Sequence, residues 1–191
     1  PLWLARWVFN RMRPLAFVSH ARPIERLRIA HGLTSIGGDL RKAYTEADFT
    51  CYCDVPSLFP LPEGAREKVV GPLIWSPACE LPGWWNDVPS DRPCVYFSMG
   101  SSGRSDLVKA ATSALVQAGF SVLASAVDPS LISNLEKGVF AATFLPGLLA
   151  AHRADVVICN GGSPTTQQAY AAGRPVIGLA SNLDQFLNMH A

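Results

Sequence analysis

Apolar and polar positions change rhythm near residue 93. Beyond Pro93, short apolar runs alternate with stretches of helical spacing. Residues 94–99 form an apolar run, as expected of a strand buried on both faces. Residues 105–118 read as a helix: Ser105 is placed to cap it, Leu107, Ala111, Leu115 and Ala118 share a face, and Gly119 closes it. The alternation continues with a strand at 120–127 and a short helix entered through Asp128-Pro129 and ending near Gly138. A strand at 139–145, a helix at 148–153 and a strand at 155–159 come next. A helix at 163–172, stopped by Gly173, and a strand at 175–179 complete the series. Strand and helix in strict alternation imply an α/β domain with a Rossmann-like parallel sheet and right-handed crossovers.

The first part of the chain is less regular. Residues 1–22 are weakly amphipathic, and Pro14 and Pro23 are expected to break any helix there. Residues 24–31 have helical spacing, with Ile24, Leu27 and Ala30 on one side and Gly32 where a terminating glycine belongs. Strands are expected at 49–55 and within 68–75. Pro77, Pro82, Gly83, Pro89 and Pro93 give residues 77–93 the composition of a linker. The expected division is therefore 1–76, a linker at 77–93, and 94–191. The chain opens on Pro1 and reaches Ala191 shortly after a helix start, so a fragment of a longer protein is expected.

Composition adds bounds. A hydrophobic fraction of 49% suffices for a core, and a formal net charge of +1 argues against a dedicated nucleic-acid binder. Arg6, Arg11, Arg13, Arg22, Arg26, Arg28, Arg41 and Lys42 face only Glu25 and Asp39 before residue 43. That basic, tryptophan-bearing third has two readings: peripheral contact with an anionic membrane, or a solvated helix face, the latter being the expected one. Cys51 and Cys53 lack partners for a zinc site, so no metal is expected. Cys94 and Cys159 sit in apolar runs and read as core thiols, which fits a reducing, cytoplasmic setting. No signal peptide and no membrane-spanning window is visible. His20, His31, His152 and His190 have no triad or metal spacing and read as ordinary surface or packing residues.

The chemistry is expected in two glycine loops. In the segment from Cys159 to Gln168 a buried strand ends, Gly161 and Gly162 turn the backbone, and a helix begins with Ser163 at the cap and Pro164 in the first turn. Amides at such a helix start suit an anion, phosphate above all; a plain strand-to-helix turn is the alternative. The expected donors are Ser163, Thr165, Thr166 and the glycines, since Pro164 has no N–H. Gly100-Ser101-Ser102-Gly103 also follows a strand, so both loops are expected at the carboxyl edge of one sheet.

Four motifs in order carry a resemblance. Ser98-Met99-Gly100-Ser101 is similar to a Ser-x-Gly-Ser loop, and Phe144-Leu145-Pro146-Gly147 to an aromatic segment ending in Pro-Gln. The run from Asn160 to Ala169 is similar to His-Gly-Gly-Ser-Gly-Thr-Thr-Leu-Glu-Ala, and Ala172-Gly173-Arg174-Pro175-Val176 and Asp184-Gln185 follow. Residues 92–191 thereby resemble the donor-binding domain of the UDP-glycosyltransferase superfamily, in its macrolide-type and glucuronosyltransferase-like branches. Gly71-Pro72-Leu73 resembles the end of that family's acceptor domain.

The resemblance implies a GT-B architecture, in which residues 1–76 are the last part of the acceptor domain. It implies inverting, metal-independent sugar transfer from a nucleotide diphosphate sugar, with no further cofactor, to a small-molecule or lipid hydroxyl. Phe144 and the Leu145 backbone would contact the nucleobase. Ser101, Asn160, Gly161, Gly162, Ser163 and Thr165 would line the diphosphate, Gln168 the ribose, and Asp184 and Gln185 the sugar. The family's catalytic base is a histidine near the start of the acceptor domain; nothing here matches it, and no catalytic residue is carried over. Asn160 stands for the family's histidine, Gly147 for its glutamine and Gln168 for its glutamate. Structural alternatives stand beside these roles: Asp184 as a helix cap, Phe144 as a core residue, and Trp84-Trp85 as packing rather than as an acceptor or lipid contact. For the chain as a whole, the alternative is a non-catalytic donor-binding module acting beside a separate acceptor-binding partner. A nucleotide-sugar epimerase would need acid–base residues for which there is no candidate.

Overall fold

The computed structural model describes residues 2–58, 64, 66, 67–76, 78–102, 104, 106–125 and 127–190. They divide into two compact units, one built mainly from residues before Pro72 and the other mainly from Pro72 onward.

The first unit is led by helix α1, Leu2–Ala30, 29 residues long. It runs through Pro14 and Pro23, where breaks are expected from the sequence. Each proline deletes one backbone donor, and the leucine, alanine, arginine and methionine around them favour helix strongly enough to carry it across. Tertiary packing contributes: Ala21 is fully buried, Ile36 is buried, and a side chain at Gly38 would touch Val18 Cγ2 at 3.1 Å. The helix ends as expected at Gly32, whose φ is 70°. The Gly32 N–H donates to the Ile29 carbonyl and the Leu33 N–H to the Arg28 carbonyl, the paired bonds of a Schellman terminus. A one-turn helix α2, Lys42–Thr45, and two parallel strands, β1 Thr50–Tyr52 and β2 Glu67–Val69, complete this unit. No helix among the described residues is long and apolar enough to cross a membrane.

The second unit holds a five-stranded parallel sheet. Its strands are β3 Cys94–Ser98, β4 Ser121–Ser125, β5 Val139–Ala141, β6 Val156–Cys159 and β7 Val176–Gly178, ordered β5-β4-β3-β6-β7. All residues of β3 and β4 are buried, as their near-continuous apolar character requires of central strands covered on both faces. The crossovers are α3 Leu107–Gln117, α4 Pro129–Ile132, α5 Gly147–Arg153 and α6 Ser163–Ala171, and α7 Leu183–His190 follows β7. Val108, Ala111, Thr112 and Leu115 turn the buried face of α3 to one side of the sheet. Ala150, Ala151 and Ala169, small enough for close approach, bring α5 and α6 onto the other. Gly103 and Ser105, the expected helix cap, lie outside the described residues.

Of residues 77–93, Val88 is buried in the core of this unit and Trp84 stacks against Phe140 at 5.7 Å. Arg153 fixes the segment: its guanidinium donates to the carbonyls of Trp85 at 2.6 Å and Val88 at 3.0 Å and lies 5.2 Å from the Trp85 ring centre. Trp84 and Trp85 are therefore packing residues here.

Candidate functional site

Strands β3 and β6 are adjacent and parallel, with Ser98 opposite Cys159. The loops that leave them therefore emerge side by side at the carboxyl edge, as expected. Gly100 adopts φ 59° and Gly161 φ 80°, left-handed conformations that favour glycine.

Asn160 ties the two loops together. Its Oδ1 accepts from the Gly162 N–H at 3.0 Å, and its Nδ2 donates to Ser102 Oγ at 3.2 Å. The same Ser102 oxygen accepts from Gln185 Nε2 at 3.3 Å. The Gly161 N–H donates to Cys159 Sγ at 3.3 Å, and the Thr166 N–H to the Gly162 carbonyl. The set of outward donors expected from the sequence is thus corrected. Gly161, Gly162 and Thr166 spend their N–H groups inside the loop and first turn, and helix geometry leaves those of Ser163 and Thr165. The cap is also corrected. Gly162 occupies it, with extended φ −71° and ψ 142°, and Ser163 is the first helical residue. The serine hydroxyl instead accepts from Asn188 Nδ2 at 3.1 Å, which couples α7 to the loop.

A cavity of about 550 Å³ opens at this edge. Of the residues expected in a donor site, Ser101, Phe144, Leu145, Thr165 and Gln168 line it together. Asn160, Gly161, Gly162 and Ser163 are not among its lining residues; they form the turn from β6 into α6. Leu145 is buried, and Phe144 is 70% exposed, so the core reading of Phe144 fails. Asp184 lies in the exposed first turn of α7 and is not its cap; Asn182 Oδ1 accepts from the Gln185 N–H at 3.0 Å and serves there. The Gln185 side chain is buried and already engaged, its Oε1 accepting from the Ser181 N–H and hydroxyl. Neither Asp184 nor Gln185 reaches the cavity wall.

Gly147 and Gln168 are neighbours. A Cβ on Gly147 would stand 2.2 Å from Gln168 Oε1, so the amide occupies the space that a side chain at 147 would need. Gln168 Nε2 donates to the Trp75 carbonyl. The two departures from the family pattern are therefore one local rearrangement.

Trp75, Tyr96, Ser98, Ser125, Asp128 and Thr143 also line the cavity, and sequence reasoning gave them no role there. Their positions at strand ends were visible, but nothing marked their convergence. Tyr96 Oη pairs with Ser125 Oγ at 2.8 Å, and burial pushes the phenol pKa up, keeping it protonated. Asp128 accepts from the Ser130 hydroxyl and N–H, which hold its carboxyl below the usual range. Among the described residues, no lysine, arginine or histidine lines the cavity. A second cavity, of about 600 Å³, lies in the first unit among Lys42, Glu46, Asp48 and Arg66. Its charges are of both signs, and none of its described lining residues belongs to a motif.

No family model matches the chain. Its sequence is 46% identical over 187 residues to a PGL/p-HBAD biosynthesis glycosyltransferase of Mycobacterium tuberculosis, covering 96% of this chain and 43% of that protein. It is 44% identical over 191 residues to a PGL/p-HBAD biosynthesis rhamnosyltransferase of Mycobacterium bovis, covering 98% and 42%. The fold is similar to the glycosyltransferase of kitacinnamycin, with a TM-score of 0.67 at 18% identity over 95% of this chain and 50% of that one. It is also similar to the Streptomyces glycosyltransferase SsfS6, solved with thymidine diphosphate, with a TM-score of 0.59 at 21% identity over 88% and 42%. The sheet, its paired loops and these likenesses define a GT-B fold and match the C-terminal domain of UDP-glycosyltransferase-like enzymes. Within that class, the chain's sequence relatives are the mycobacterial PGL/p-HBAD glycosyltransferases. The chain spans about two fifths of the length of the curated relatives it matches, 43% and 42%.

Proposed function

We propose that this chain forms the donor-binding part of a glycosyltransferase that moves a sugar from a nucleoside diphosphate to an acceptor hydroxyl, with inversion and without a metal. The observation that carries this reading is the convergence of Ser101, Phe144, Leu145, Thr165 and Gln168 on one cavity at the carboxyl edge of the sheet. An exposed aromatic supplies a face for a base. The first-turn amides of α6 and the hydroxyls of Ser101 and Thr165 supply donors for a diphosphate. Such fixed dipoles stabilise the charge that builds on the diphosphate as the sugar leaves. The acceptor is a small molecule or a lipid. Deprotonation of its hydroxyl requires a base within hydrogen-bond reach, and none of the cavity-lining residues is placed for that role by the family pattern.

The test is a thermal-shift screen of nucleoside diphosphates and their sugars, with and without a chelator. Ligand at about a hundred times its Kd adds about 2.7 kcal/mol of stability. The expected result is a rise in midpoint with at least one nucleoside diphosphate, unaltered by the chelator. No shift with any of them would refute the donor site, and a shift abolished by the chelator would refute metal independence.

A further inference from the structure

Three aromatic side chains line the cavity: Tyr96, which is buried and paired with Ser125, and two exposed ones, of which only Phe144 belongs to a motif. The other is Trp75, whose surface is 68% exposed although its backbone is fixed. Its carbonyl accepts from Gln168 Nε2, across 93 residues of sequence. The Gln168 Oε1 end of the same amide lies against Gly147, three residues after Phe144. The Trp75 main chain is thus held at the rim by the cavity's own wall. The chain's neighbouring tryptophans, Trp84 and Trp85, are spent on packing against Phe140 and Arg153. An anchored backbone carrying an open indole at a concave, largely apolar site is the arrangement that base stacking uses, because every nucleobase offers a π-face.

We infer that Trp75 is a nucleobase-binding residue of this site, positioned by the Gln168 tether that the missing side chain at Gly147 makes room for. The inference rests on the donor-site reading above and adds to it a second exposed aromatic of the cavity lining. It assigns affinity for the base to Trp75 and leaves affinity for the phosphates to the glycine-loop edge.

The experiment is calorimetric titration of the 191-residue chain with uridine diphosphate, thymidine diphosphate and inorganic pyrophosphate. For Trp75→Ala, nucleoside diphosphate affinity is expected to fall about five- to a hundredfold while pyrophosphate affinity stays within about twofold. Equal losses for both probes, or no loss for either, overturn the inference. Trp75→Phe keeps an aromatic face and covers the case in which the alanine variant folds poorly. Nucleoside diphosphate is expected to quench the wild-type indole emission and to bind Trp75→Phe without that quenching. Quenching that persists in Trp75→Phe overturns the inference. A wild-type chain that binds pyrophosphate as tightly as the nucleoside diphosphates overturns it too, yet leaves the phosphate site standing. A wild-type chain that binds none of the three overturns the donor-site reading itself.

Discussion

Gly161→Ala separates the two demands that the loop places on its glycine. The residue sits at φ 80°, and a Cβ there would meet Met189 Cγ at 3.0 Å and the Gln185 carbonyl oxygen at 3.1 Å. The left-handed conformation alone costs an alanine about 1–2 kcal/mol. The methionine can swing away, but the carbonyl belongs to the backbone of α7 and moves only if the helix moves. Overpacking of that kind adds about 1–3 kcal/mol. Gly119 and Gly173 provide the control, since their φ values of 93° and 66° bracket that of Gly161 and a Cβ at either meets nothing within 4 Å. Their alanine variants are expected to show the conformational cost alone. Urea unfolding of all three variants gives the difference directly, and hydrogen exchange shows whether the amides of α7 lose protection only in Gly161→Ala. If Gly161→Ala destabilises no more than the two controls, α7 does not bear on the loop as described.

Two further outcomes are expected. Arg153→Ala is expected to cost about 2–3 kcal/mol in urea unfolding, because it strands the carbonyls of Trp85 and Val88; Arg153→Lys should recover little of this, as an ammonium lacks the planar fork that reaches both. Burial pushes the Cys94 thiol up to about 11 from its ordinary 9.0, so the unfolded chain loses this proton first and the folded protein is expected to lose stability as pH rises through that window; a pH series of melting points checks the sign, and Cys94 should resist thiol reagents at pH 8 while exposed Cys51 reacts.

Much of the sheet domain was legible because its signals are local. The buried runs of β3 and β4, the terminating glycines at 119 and 173 and the Asp128-Pro129 helix start each announce an element within a few residues. The two loops at one edge follow from parallel topology alone. What failed did so for stated reasons. Pro14 and Pro23 do not interrupt α1, since helix-favouring neighbours and packing around Ala21 outweigh two missing donors. The cap of α6 falls one residue early, on Gly162, because Ser163 turns its hydroxyl to Asn188 instead. Asp184 and Gln185 read as ligand residues from the motif and stand apart from these failures: Asp184 is exposed in the first turn of α7, and the Gln185 side chain is engaged by Ser181 and Ser102. The tether from Gln168 to Trp75 joins residues far apart in the chain, and no spacing rule reports such a contact.

The hydroxyl of Ser102 accepts from both Asn160 and Gln185, and so a single oxygen atom holds the loop after β3, the loop after β6 and the start of α7. Freeing Asn160 or Gln185 breaks one of these bonds, and freeing Ser102 breaks both. Withdrawing the serine takes the partner from two amide donors on buried residues together, each at about 1–3 kcal/mol. Ser102→Ala is accordingly expected to loosen both neighbours of the loop after β3 at once, which hydrogen exchange at the Gly162 and Gln185 amides would show.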